Sequence, residues 1–171
     1  MNKKEKQQIK YAKSLYDNGA DFLKRPYFSV SALITKDGLV LLGRRKNTYA
    51  SGCWHIPGGH VNPGELIKDA LVREIFEETR IKRKDFKIKE LAGIRETLKQ
   101  PHHIELIYRV ELLRNIKKIE IGEPEKCEGW KWFNIKKLPS PFIPAMASVW
   151  KKIKKKYGLP NSRPKNCRCE L

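Results

Sequence analysis

A single α+β or α/β domain is the fold class this sequence predicts, and three observations predict it. Strand-like segments bounded by turn residues recur along the chain, one long helical segment lies among them, and a second apolar helical pattern follows the last strand. At 171 residues the chain can bury one substantial core and carry short appendages. No internal repeat is visible.

The elements follow in order. Lys3 to about Asp17 is helix-compatible, with Ile9, Ala12, Leu15 and Tyr16 roughly on one face and Asn18-Gly19 as the stop. Tyr27–Thr35 reads as a strand, Lys36-Asp37-Gly38 as a turn and Leu39–Arg45 as the hairpin partner. Asn47–Gly52 is a loop and Trp54–Pro57 a short extended piece. Asn62-Pro63-Gly64 leads into a helix from about Glu65 to Thr79. Two long strand patterns follow, Phe86–Thr97 and His102–Leu113, broken at Gln100-Pro101. Asn115–Glu128 is read as a loop with room for a short strand, and Gly129–Phe133 as a strand carrying Trp130 and Trp132. Pro139-Ser140-Pro141 precedes a last helix, about Ile143–Lys156, in which Ile143, Met146, Val149, Trp150 and Ile153 recur at helical spacing. The expected organisation is a helical extension over 1–25, the domain proper over 26–156 and a basic tail over 157–171.

The net charge of +18, from 37 Lys and Arg against 19 Asp and Glu, favours phosphorylated ligands and attracts polyanions, an effect that salt screens. Much of that charge is Lys at the two ends, Asn2–Lys13 and Lys151–Lys156, which fits a solvated surface as well as a nucleic-acid site. No aromatic–basic RNA-binding motif interleaves it. Nucleic acid is therefore the less favoured partner. No stretch reaches the roughly 20 apolar residues of a membrane helix, and Met1–Lys10 lacks the apolar core of a secretory signal. A cytoplasmic location without membrane contact is the expectation. Cys53, Cys127, Cys167 and Cys169 lack the paired spacing of a zinc site and read as inert thiols.

One segment, Gly58–Ile81, carries chemistry. On a helical wheel Glu74, Glu77 and Glu78 fall within an arc of about 100°. Glu77 can pair with Arg73 one turn back, but Glu74 and Glu78 face each other at i,i+4, where like charges cost a helix about 0.2–0.5 kcal/mol. Leu71, Val72, Ile75 and Phe76 make most of the remaining circumference apolar, so a buried helix would present clustered carboxylates. Such a cluster invites a hard cation with oxygen ligands, Mg²⁺ above all. The blander reading, an acidic solvated face, loses ground to the flanking residues. Pro57-Gly58-Gly59 brings bare backbone to the same place, and Glu65 lies near the start of the helix.

Gly59-His-Val-Asn-Pro-Gly-Glu65, followed after seven residues by Arg73-Glu74-Ile75-Phe76-Glu77-Glu78-Thr79-Arg80-Ile81, resembles the Nudix box, G-x5-E-x7-R-E-U-x-E-E-x-G-U. Arg80 replaces its last Gly, the one departure. The likeness extends over roughly residues 26–150. Leu39–Arg45 with Gly52-Cys-Trp54-x-x-Pro57-Gly58-Gly59, and the segment from Glu123 through Glu125 to Trp132, are similar to nucleoside triphosphate pyrophosphatases of the MutT-like branch.

The resemblance implies an α/β/α sandwich with a mixed β-sheet and a loop–helix–loop box. It implies that Glu74, Glu77 and Glu78 hold Mg²⁺, with Mn²⁺ as a substitute, and that Glu65 and Arg73 orient the box by pairing. One of these carboxylates, or Glu123 or Glu125, would activate water. Substrate contacts are expected from Arg44, Arg45, Trp54, Gly58, Gly59 and Glu125. One of His102 and His103 should face the site. The leading reading is (d)NTP plus water giving (d)NMP plus pyrophosphate. Hydrolysis of ADP-ribose or a nucleoside diphosphate sugar is the runner-up, RNA binding or RNA 5′-end processing the third. A homodimer is left open.

Overall fold

The computed structural model describes residues 26–98, 102–116 and 118–143, together with residues 150, 153 and 155. The expected N-terminal helix and the basic tail lie outside the described residues. So does most of the last expected helix, although Trp150 and Ile153 are helical and buried.

The described strands are β1 (Tyr27–Lys36), β2 (Leu39–Arg45), β3 (Trp54–His55), β4 (Gly58–His60), β5 (Phe86–Thr97), β6 (His103–Leu112) and β7 (Cys127–Asn134). Helix α1 (Ile67–Thr79) and a 3₁₀ turn, Arg83–Asp85, lie between β4 and β5. The strands form one mixed sheet in the order β3-β2-β1-β6-β5, with β4 also on β1 and β7 on β2. β1 runs parallel to β6 from Tyr27 to Thr35, while the other pairings are antiparallel.

β1 is central, and its sequence explains why. Val30, Ala32, Leu33 and Ile34 are apolar on both faces and all buried, as a strand covered on both sides requires. On one edge β1 pairs with β2 only at Thr35 and Lys36, and with β4 at Ser29–Ser31. The sheet is thus split along that edge, and the gap beside β4 is where α1 presents its carboxylates. β4 escaped the sequence reading because Gly-Gly-His has no β propensity; only its pairing with β1 makes it a strand.

Alternation sorts the two faces. Val30, Ala32 and Ile34 pack with Leu71 and Ile75 of α1, whereas Leu33 and Ile107 pack with Phe142, Trp150 and Ile153. Helical residues thus cover both faces of a mixed sheet. Ser29 and Ser31 share the parity of Leu33, so at the other end of β1 that face is polar.

Helix α1 starts two residues later than the sequence suggests. Glu65 belongs to the preceding turn: its N–H donates to the Asn62 carbonyl at 3.0 Å and its carboxylate accepts the Asn62 N–H at 3.0 Å. At the other end Arg80 adopts the left-handed conformation, φ 57°, and its N–H donates to the Phe76 carbonyl at 2.9 Å. The helix stops where the missing glycine would have stopped it. Cys127 is a free thiol, but Cys53 is disulfide-bonded, which corrects the expectation of an inert thiol there. Among the described residues no helix is long and apolar enough to cross a membrane.

Candidate active site

The third turn of α1 faces β4 across a very short gap. The Gly58 N–H donates to Glu78 Oε2 at 3.2 Å. Gly59 leaves room for Glu74: a Cβ there would lie 2.5 Å from the Glu74 carboxylate. Burial pushes the Glu78 carboxyl up to about 8, against the pull of the Gly58 N–H. Glu74 is also raised by burial, although Arg73 opposes it.

Arg73 ties the segment together. Its Nε donates to Glu65 Oε1 at 2.8 Å, and its Nη2 to Glu65 Oε2 at 3.0 Å and to the His60 carbonyl at 2.8 Å. Its Nη1 reaches Glu74 Oε1 at 2.7 Å and Glu77 Oε2 at 2.8 Å. The bidentate Arg73 bond, with the Asn62 N–H, holds the Glu65 carboxyl down to about 2. One guanidinium therefore joins the loop, β4 and two carboxylates of the helix.

The end of α1 is held from the opposite side. The Glu78 carbonyl accepts the Gly122 N–H at 2.8 Å and Trp130 Nε1–H at 3.0 Å. Gly122 needs its missing side chain, since a Cβ would lie 1.6 Å from the Glu77 carbonyl oxygen. The same loop brings Glu123 into the cleft, where its charge raises both Glu74 and Glu78.

A cleft of about 1140 Å³ opens from these carboxylates along the polar end of the sheet. Glu74, Glu77, Glu78 and Glu123 line one part, with Arg45 and Lys126 beside them. The floor is Ser29 and Ser31 of β1, Arg95 and Thr97 of β5, and His103 and Glu105 of β6. Arg95 Nε donates to Glu105 Oε2 at 2.6 Å, and Ser31 donates to the other Glu105 oxygen. His103 Nε2 and Ser29 Oγ share a hydrogen bond of 2.8 Å.

The structure brings most of the expected residues together. Glu74, Glu77, Glu78, Gly58, Gly59 and Arg45 line the cleft, and Glu65 and Arg73 brace it. Arg44, Trp54 and Glu125 do not line it. Arg44 pairs with Glu128 at 3.4 Å, Trp54 packs edge-on against Phe133, and Glu125 is exposed. Of the two histidines, His103 faces the cleft, while His102 meets Glu96 at 2.9 Å. The Arg95–Glu105–Ser31 network is not legible in the sequence. Its only signal is Ser-x-Ser in an otherwise apolar strand, and Arg95 and Glu105 become neighbours only through the β5–β6 register.

Among the described residues no three His, Cys, Asp or Glu side chains are gathered tightly enough to enclose an ion unaided. Mg²⁺ needs no such cage, because it binds through one or two carboxylates and fills its other positions with water and phosphate oxygens.

Comparison with known proteins shows the family to which the chain belongs. The NUDIX domain family model matches residues 24–153. A Methanocaldococcus jannaschii protein named ADP-ribose pyrophosphatase is 31% identical over 117 residues, covering 67% of this chain and 65% of that protein. An RNA pyrophosphohydrolase of Proteus mirabilis is 28% identical over 143 residues, covering 74% of this chain and 78% of its own length. The crystal structure of a MutT NUDIX hydrolase from Burkholderia pseudomallei superposes with a TM-score of 0.64 at 26% identity, covering 75% of this chain and 98% of that one. The chain thus spans less than two thirds of the archaeal relative's length.

Proposed function

The chain belongs to the Nudix family, and we propose that it hydrolyses a phosphoanhydride bond in a nucleotide with Mg²⁺, for which Mn²⁺ can substitute. The observation that carries this reading is the seating of Glu74 and Glu78 against the bare Gly58–Gly59 backbone.

The donor set suits the ion. Two carboxyls raised by burial, with Glu123 adding further negative charge, are in the electrostatic condition that a divalent cation relieves. Glu74 and Glu78 would hold Mg²⁺, with Glu77 the third candidate, and when bound the ion neutralises charge on the phosphate oxygens. Arg73 fixes the direction of the Glu74 and Glu77 carboxylates, and Glu65 fixes Arg73. Arg45 supplies positive charge for the approaching phosphates, and Lys126 holds Glu123 through an ion pair of 2.8 Å. Glu123 stands in the cleft outside the Arg73 network, and it takes the proton of the water that attacks phosphorus as the bridging P–O bond breaks.

Two observations favour a nucleoside diphosphate joined to a second group, of the ADP-ribose kind, over a triphosphate. Trp54 and Glu125, part of the triphosphate likeness, lie outside the cleft lining, while polar residues of β1, β5 and β6 line the cleft in addition to the carboxylates. The archaeal relative's name points the same way. The triphosphate reading keeps one specific support, Glu123, which belongs to the segment similar to that branch and does line the cleft.

The test is product analysis with Mg²⁺ on ADP-ribose, a nucleoside diphosphate sugar and a panel of triphosphates. A kcat/KM at least ~10²-fold higher for a diphosphate-linked substrate, about 2.7 kcal/mol in transition-state binding, is expected. The reverse ratio, with pyrophosphate as product, would put the triphosphate reading first. Glu123→Gln should lower kcat by ~30-fold or more without raising the Mg²⁺ concentration needed for half-maximal rate; a raised requirement would make Glu123 a ligand rather than a base.

A further inference from the structure

The floor of the cleft, which β1, β5 and β6 supply, has a chemistry of its own. Arg95 is 14% exposed in its side chain and spends Nε on Glu105 and Nη2 on His103 Nδ1, at 3.4 Å. No partner for its Nη1 is found among the described residues. Glu105 is buried, and its second oxygen takes the Ser31 hydroxyl. The Arg95 and Glu105 charges therefore cancel within the pair. Burial and the neighbouring Arg95 lower the pKa of His103, so it adds no charge at neutral pH. The His60 ring lies 5.9 Å from His103, and the Tyr27 ring 6.1 Å from His60, so ring faces border the floor on one side.

An anion subsite needs uncompensated positive charge. In this cleft Arg45, whose guanidinium bonds among the described residues only to the Tyr49 carbonyl and the Thr48 hydroxyl, carries it, while Lys126 is paired with Glu123 at 2.8 Å. The floor offers no net charge, but it offers donors and acceptors mixed at close range beside aromatic rings. Sugar hydroxyls, each both donor and acceptor, with C–H faces that pack on rings, match that mixture.

We propose that Arg95, His103, Ser29 and Glu105 form a second subsite that takes the uncharged, hydroxyl-bearing sugar of the substrate. The sugar is either the one joined through the second phosphate or the ribose of the nucleoside itself. Arg95 Nη1 donates to one hydroxyl, the His103–Ser29 pair exchanges hydrogen bonds with another, and Glu105 holds Arg95 in place. This assignment rests on the reading of the site as a nucleotide site, but it concerns binding and does not require turnover.

Calorimetric titration of the full chain in chelator, so that hydrolysis is suppressed, tests it with ADP-ribose, ADP and 2′,3′-dideoxy-ADP. The wild type should bind ADP-ribose at least ~10-fold tighter than ADP if the linked sugar occupies the floor. If the nucleoside ribose occupies it, ADP should instead bind at least ~10-fold tighter than its dideoxy form. Arg95→Met would strand the Glu105 carboxylate and endanger folding, so the variants are Ser29→Ala and His103→Leu. Both should reduce that increment to less than ~3-fold while leaving dideoxy-ADP affinity unchanged. No increment in the wild type, or one that persists in both variants, would overturn the subsite even if ADP binds and ADP-ribose is cleaved. An equal weakening of all three probes would place the base or phosphates there and overturn it as well. So would a parallel loss of inorganic pyrophosphate affinity, which marks an anion site. If ADP-ribose binds with the increment but is never cleaved, the subsite stands and the proposed reaction falls.

Discussion

Trp130 donates its indole N–H to the backbone carbonyl of Glu78, across 52 residues and at 3.0 Å. The strand that follows the Glu123 loop thus fixes the backbone of a candidate metal ligand, on the side opposite the Gly58 N–H that fixes its carboxylate. Trp130→Phe keeps the aromatic packing and removes that one bond. The Gly122 N–H still satisfies the carbonyl, so a stability loss of about 1 kcal/mol is expected. Turnover should fall ~3–10-fold with little change in KM, because the ligand is displaced and the cleft is not. Steady-state kinetics beside a melting curve separates the two effects; full kcat in the variant would reduce Trp130 to packing.

Arg73→Lys tests the hub. A lysine carries the charge but cannot place five donors on Glu65, the His60 carbonyl, Glu74 and Glu77 at once. A drop of ~10²-fold in kcat/KM is expected, together with a lower melting temperature. Activity within threefold of wild type would show that charge alone is what the box needs.

Arg80 holds a left-handed conformation at φ 57° that costs a non-glycine residue about 1–2 kcal/mol. Its side chain recovers part of this by donating to the Gly122 carbonyl at 3.2 Å and lying over the Phe76 ring. Both contacts are exposed and weak. Arg80→Gly should therefore raise stability by about 0.5–1 kcal/mol. Denaturant titration reads it, and a lower unfolding free energy would show that Arg80 is not strained.

His55 gives the fold an acid-sensitive element. Burial, helped by the charge of Arg45, lowers its pKa from 6.5 to about 3, and its buried Nε2 has no hydrogen-bond partner among the described residues. The unfolded chain protonates this ring below pH 6.5, whereas the folded chain waits until about pH 3. Between those values the unfolded state binds the extra proton, so stability is complete above pH 6.5 and is lost as pH falls toward 3. The expected slope from this group reaches about 1.4 kcal/mol per pH unit. His55→Asn should flatten the stability–pH curve by about one proton in that window; an unchanged slope would assign the acid sensitivity elsewhere.

The parts legible in the sequence were those set by local chemistry. Phe86–Thr97 alternates and is β5 to the residue, and the Glu74/Glu77/Glu78 spacing alone put three carboxylates on one side of a helix. What escaped depends on partners distant in sequence. β4 exists because Ser29–Ser31 of β1 give Gly58–His60 an antiparallel neighbour. Arg95 and Glu105 meet only once the β5–β6 register, with its irregularities between Ile88 and Gly93, is set. Trp54 is expected to contact substrate, but it packs edge-on against Phe133, a partner that its local sequence does not reveal. Glu65 has good helix propensity, but Arg73 and the Asn62 turn hold it outside the helix.

On the proposed reading, Glu74 and Glu78 hold the cation that drives phosphoanhydride cleavage. Phosphorus NMR of ADP-ribose incubated with Mg²⁺ and the wild-type chain, Glu74→Gln or Glu78→Gln tests it most directly. AMP and ribose 5-phosphate from the wild type, no reaction in chelator, and rates at least ~10²-fold lower in each near-isosteric variant are expected. Cleavage that survives chelation, or more than a tenth of the wild-type rate in both variants, would contradict it.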